Sequence, residues 1–103
     1  MNRVNMQIAL EEKIEQARLT IKAKKSLRDA VRVGIYAVGK RIFAATDANT
    51  AYEVKDGQLT QLSAEDYAKY IRPENILAAS YEFKVLGDKE LDTLMKLFTE
   101  VAD

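Results

Sequence analysis

The stretch 31–46, VRVGIYAVGKRIFAAT, constrains this chain more than any other. It reads as two β-strands folded back at Gly39-Lys40. Gly at the first loop position accepts φ > 0 and suits a two-residue type II′ turn. That turn sets the register. Ala37 lies opposite Ile42, Ile35 opposite Ala44 and Val33 opposite Thr46 on an aliphatic face; Val38 meets Arg41 and Tyr36 meets Phe43 on the other. Side chains alternate along a strand, so the two sets cannot mix. The aliphatic face builds a core. The face with two rings and a guanidinium has to meet a helix, another subunit or a ligand.

Upstream, residues 5–25 carry Met6, Leu10, Ile14, Ala17 and Ile21 at three- and four-residue steps, the pattern of an amphipathic helix. The stripe can cover the chain's own sheet or a partner's copy. Ser26-Leu27-Arg28-Asp29 has the form of a capping box and permits a second short helix, whereas Val, Ile and Tyr clustering from Val31 favours a strand starting there. Downstream, 51–55 and 58–62 flank Asp56-Gly57, a type I′ hairpin signal that pairs Val54 with Leu59, Tyr52 with Gln61, Glu53 with Thr60 and Lys55 with Gln58. Ser63-Ala64-Glu65-Asp66 is another capping box and opens a short helix to about Ile71, stopped by Pro73. Alternation over 76–86 predicts a fifth strand, and Gly87-Asp88 opens a final helix with Leu91, Leu94, Met95, Phe98 and Val101 on its apolar side. The expectation is one α+β domain spanning 1–103: a helical segment 1–30, an antiparallel sheet of about five short strands with an inserted helix over 31–86, and a C-terminal helix over 87–103.

Composition narrows the function. The 103 residues are 48% hydrophobic and 31% charged, a globular balance. No apolar run approaches the ~20 residues of a transmembrane helix, and the N-terminus turns acidic too early for a secretory signal, so no membrane contact and a cytoplasmic location are expected. There is no cysteine and no histidine. Disulfides, thiol nucleophiles, imidazole bases and zinc sites built on Cys or His are therefore excluded. No EF-hand, Walker loop or G-x-G-x-x-G occurs, and no cofactor is implied. The remaining Asp, Glu, Lys, Tyr and Ser form no array that poises a nucleophile, so the chain is not read as an enzyme.

Net charge is zero, yet residues 22–41 hold seven bases against one acid and residues 42–103 hold six against twelve. Such asymmetry suits an anionic ligand at the basic segment or head-to-tail subunit contact. Arg41 lies near Phe43 and Tyr36, and Arg72 near Tyr70 and Tyr67. Guanidinium groups hold phosphate at two points, and aromatic faces stack on bases. Asn75, in the turn after Pro73, can both donate and accept to a base edge. A small anion is favoured over long nucleic acid, whose backbone the acidic remainder repels. A chain of this size leaves apolar surface at its margin, which oligomerisation covers.

The runs VGIYAVGKRIFAAT, AYEVKDGQLTQLSAEDYAKYI and RPENILAASYEF, within 31–86, resemble the phage anti-Thoeris proteins that sequester cyclic ADP-ribose signals. The resemblance implies a small α+β homo-oligomer in the host cytoplasm that binds a signalling nucleotide without degrading it, with cyclic oligonucleotides held by some members at a separate site. Carried onto this chain, it implies Arg41 on the pyrophosphate, a ring from Tyr67, Tyr70 or Phe43 on adenine, and Asn75 on a polar edge, with Arg72 beside them. The basic segment, through Lys25, Arg28 and Arg32, would suit a second anion site. The competing reading is a small protein-binding inhibitor or assembly factor acting through the stripe Leu10, Ile14, Ala17 and Ile21.

Overall fold

The computed structural model describes residues 2–103. A long helix α1 (Arg3–Lys24) and a one-turn helix α2 (Leu27–Ala30) lead into β1 (Gly34–Val38), β2 (Arg41–Ala45), β3 (Ala51–Lys55) and β4 (Gln58–Gln61). Helix α3 (Ala64–Tyr70), a 3-10 turn (Pro73–Asn75), the two-residue strand β5 (Ile76–Leu77), a second 3-10 segment (Ser80–Val85) and α4 (Asp88–Ala102) follow. The sheet runs β4-β3-β2-β1-β5 with every neighbour antiparallel, which makes the fold α+β as expected.

Turn chemistry sets the two hairpins. Gly39 has φ 62° while Lys40 stays at negative φ, the type II′ pattern, and β1 pairs β2 in the expected register from Gly34–Ala45 to Val38–Arg41. Asp56 and Gly57 both take positive φ, 52° and 76°, as a type I′ turn requires, and all four expected pairs of β3 with β4 form.

The sheet has two covered faces. Ile35, Ile42, Ala44 and Val54 pack against Leu10, Ile14, Ala17 and Ile21 of α1 and Leu91, Leu94, Leu97 and Phe98 of α4. Against the other face, carrying Tyr36, Phe43, Ala45 and Ala51, pack Ile71 and the α3 residues Tyr67 and Tyr70. The α1 stripe is thus consumed inside the chain, and the assembly surface expected of Leu10, Ile14, Ala17 and Ile21 is corrected: all four are buried against α4 and the sheet.

Two further expectations give way. Helix and strand both occur over 27–38, but the strand begins at Gly34, so Val33 and Thr46 lie beyond the ladder. Ser26 caps the short helix, its Oγ accepting from the Asp29 N–H at 3.1 Å, and Arg18 Nε donates to the Val33 carbonyl at 3.0 Å to hold the chain's exit. The strand predicted over 76–86 shrinks to Ile76–Leu77, paired with Tyr36 and Ile35. Beyond Leu77 its antiparallel partner would be the residues before Gly34, which are turn and helix. Instead the Glu82 carboxylate accepts from the N–H groups of Ala78 and Ala79 and starts a 3-10 segment. Three-residue spacing then buries Phe83 and Leu86 while Tyr81 and Val85 face solvent.

Candidate functional site

Capping places α3. The Ser63 Oγ accepts from the Asp66 N–H at 3.1 Å, Glu65 and Asp66 sit in the first turn, and the residue before Pro73 leaves helical conformation. Its C-terminal side is held by a knot of side chains. Arg41 donates from Nε and Nη2 to both oxygens of Glu53, at 3.0 and 2.8 Å, and from Nη1 to the Tyr70 hydroxyl at 2.7 Å. Its Cζ lies 4.6 Å from the Tyr70 ring centroid and 5.2 Å from that of Phe43. The two rings stack 4.7 Å apart at 12°. Asn75 Nδ2 donates to the Tyr70 carbonyl at 3.0 Å and closes the turn.

Electrostatics follow from this geometry. Glu53 holds Arg41 protonated still more firmly than an ordinary guanidinium, and Arg41 holds the Glu53 carboxyl below the usual range. Phe43 has no solvent exposure. Arg41, Phe43, Tyr70 and Asn75 are therefore brought together, but their facing groups are spent on one another, and the cluster pins α3 to the sheet.

The other candidates meet elsewhere. Arg28 on α2, Arg32 just after it, Tyr67 on α3 and Arg72 before Pro73 line one groove of about 380 Å³, with Ala48, Ala68 and Ile71 as its apolar lining. The residues expected to serve two separate places thus share one. Sequence distance hides this convergence: Arg28 and Arg72 lie on opposite sides of the whole β1–β4 sheet segment.

Hydrogen bonds hold the groove walls. Tyr36, buried, donates its hydroxyl to the Arg32 carbonyl at 2.7 Å, and burial raises its phenol pKa. Arg32 Nη1 reaches the Ile71 carbonyl at 3.5 Å. Tyr67 donates its hydroxyl to the Asp47 carbonyl at 2.7 Å, and burial pushes that phenol up to about 12. Asp29 accepts from the Ala48 N–H at 3.0 Å and from the Ser26 hydroxyl at 2.7 Å, chiefly the latter keeping its carboxyl below the usual range. Asp47 accepts from Lys25 Nζ at 2.5 Å and from the Asn49 N–H at 2.8 Å. Burial works against the charge of Asp47, but these donors outweigh it and its pKa is lowered; Lys25 is raised in return. Lys25, expected at the anion site, is thus committed to a wall.

This leaves the groove rich in positive charge. Among the described residues neither Arg28 nor Arg32 forms a salt bridge, and Arg72 pairs with Glu74 at 2.8 Å on an exposed rim. A separate groove of about 420 Å³ between α1 and the second 3-10 segment has the opposite character, with Glu11, Glu12 and Glu15 beside Arg18. Among the described residues no three His, Cys, Asp or Glu side chains converge as a metal site would need.

Comparison of the chain with family models, curated proteins and solved structures finds no match in any of the three.

Proposed function

We propose that this chain is a non-catalytic binder of a small phosphate-bearing ligand, seated in the groove between α2 and α3. The observation that supports this most is the meeting of Arg28, Arg32 and Arg72 with Tyr67 around one apolar-floored groove, with two of the arginines free of salt bridges among the described residues. Guanidinium groups offer fixed forks of donors to phosphate oxygens, and a desolvated charge-assisted contact is stronger than a neutral one. The aromatic and aliphatic lining provides apolar surface for a base or ribose.

The resemblance of 31–86 to anti-Thoeris proteins makes a cyclic ADP-ribose-type nucleotide the ligand class, and sequestration without hydrolysis the mode. In this reading Arg28, Arg32 and Arg72 take the pyrophosphate and Tyr67 borders the base, while Arg41, Phe43, Tyr70 and Asn75 hold the wall behind. The test is titration calorimetry with cyclic ADP-ribose, ADP-ribose, NAD and ADP, followed by heat release and mass analysis of the bound molecule. Saturable heat with a ligand recovered unchanged supports a binder. Recovery of a cleaved product means an enzyme, and absence of heat with every adenine nucleotide ends the reading.

A further inference from the structure

The two edges of the sheet are treated differently. At one, β5 is two residues long, and the N–H groups that would extend it are taken by the Glu82 carboxylate. That is how an edge is protected from pairing with another chain. At the other, β4 has four residues, all exposed, with the sequence Gln-Leu-Thr-Gln. It carries no charge, no proline and no bulge, the devices that normally blunt an edge. It is also firmly presented: Thr93 Oγ1 of α4 donates to the Gly57 carbonyl at 3.1 Å and Glu90 accepts from the Gly57 N–H at 3.3 Å, so α4 clasps the turn before β4.

The direction of its free groups follows from the ladder. The Leu62 N–H donates to the Ala51 carbonyl at 2.9 Å. Pairs alternate in an antiparallel ribbon, so Thr60 and Gln58 bond inward to β3, and the N–H and C=O of Leu59 and Gln61 point outward. The outward set is self-complementary. A second β4 laid antiparallel about an axis at Thr60 sets Leu59 against Gln61 of the copy, and Gln61 against its Leu59. Each such pair exchanges two hydrogen bonds, and Thr60 faces Thr60 of the copy at the close, non-hydrogen-bonded spacing.

We propose that two copies of this chain join edge to edge through β4, antiparallel about a two-fold axis at Thr60, to form one continuous ten-stranded sheet. The axis is perpendicular to the sheet, so α4 and its copy lie on the same side, running in opposite directions across the junction. Beside β4 is a groove of about 400 Å³ in which Leu59, 39% exposed, adjoins Leu97, with Lys96 and Glu100 on its rim. The two-fold joins this groove to its copy as a shared apolar floor. Because one helix brings both signs to the rim, reversing it sets charge against opposite charge. The same strand brought against itself meets no like-charge repulsion, since β4 has none to offer.

The test compares the wild type, Thr60→Lys and Thr60→Glu by sedimentation from micromolar to millimolar concentration. The wild type is expected to reach twice the 11.6 kDa chain mass. In Thr60→Lys the new ammonium sits opposite Glu53 within its own ribbon, so the monomer folds, while two lysines collide at the axis; its dissociation constant rises at least about tenfold. Mixing Thr60→Lys with Thr60→Glu restores the dimer. Amide exchange on the wild type is an independent readout: Leu59 and Gln61 slow as concentration rises, and Gln58 and Thr60 do not. A wild type that stays monomeric, a Thr60→Lys dimer as tight as wild type, or Leu59 and Gln61 amides indifferent to concentration each overturns the proposal. None of these results touches the arginine groove.

Discussion

Tyr67 donates its hydroxyl to the main-chain carbonyl of Asp47 at 2.7 Å, and that bond joins α3 to the loop after β2 across one wall of the arginine groove. Tyr67→Phe removes the donor and leaves a part-buried carbonyl without it, at a cost of about 1 kcal/mol. Urea unfolding measures the loss, and ligand affinity is expected to fall with it because the wall is less well held.

The same phenol gives the alkaline limb of stability. Burial raises the folded Tyr67 pKa from 10.0 to about 12. Above pH 10 the unfolded chain releases this proton and the folded chain keeps it, so the contribution is present below 10 and declines between 10 and 12. Lys25, raised by its bond to Asp47, acts in the same direction. The decline in a pH series of unfolding midpoints is expected to be shallower in Tyr67→Phe.

The acid limb has the opposite sign. Glu53 is lowered from 4.5 chiefly by Arg41, and Asp29 from 3.8 chiefly by Ser26; in Asp47 burial opposes ionisation but Lys25 and the Asn49 N–H prevail. Depressed carboxylates contribute stability that is present above their unfolded values and lost as pH falls through the folded ones. Unfolding midpoints are therefore expected to hold above about 4.5 and to fall below it. Glu53→Gln takes away part of that slope.

Phe83 and Tyr81 separate the observed 3-10 segment from the predicted strand. A strand would put both on one face; here Phe83 is fully buried and Tyr81 is 72% exposed. Phe83→Ala is expected to cost about 3–5 kcal/mol, as a large-to-small core change does, and Tyr81→Ala within about 0.5 kcal/mol of nothing. Equal losses in chemical denaturation would restore the strand.

Those residues also show what was readable beforehand. Local chemistry decided the turns at Gly39 and Asp56-Gly57 and the caps at Ser26 and Ser63, so hairpins, registers and helix starts could be read from neighbours in the chain. The segment 78–86 could not, because whether alternation becomes a strand depends on an edge to pair with, and the chain before Gly34 offers none. At the site, the chemistry of Arg41 and its rings was legible. The two-point grip of Glu53 was not, since it needs the β2–β3 register across a five-residue loop. Nor did anything in the order of residues bring Arg28 and Arg32 to Tyr67 and Arg72; the basic run of 22–41 was the one signal that pointed there.

The direct test of the account is one calorimetric comparison with the adenine nucleotide that binds the wild type. Arg28→Ala combined with Arg32→Ala is expected to weaken binding by at least about tenfold, the scale of a lost charge-assisted contact, with the unfolding midpoint unchanged. Arg41→Ala is expected to lower the midpoint, since Glu53 and Tyr70 lose their shared partner, while each folded molecule retains most of its affinity. Full affinity in the Arg28/Arg32 double variant, with binding abolished by Arg41→Ala in a folded protein, would contradict the groove as the ligand's seat.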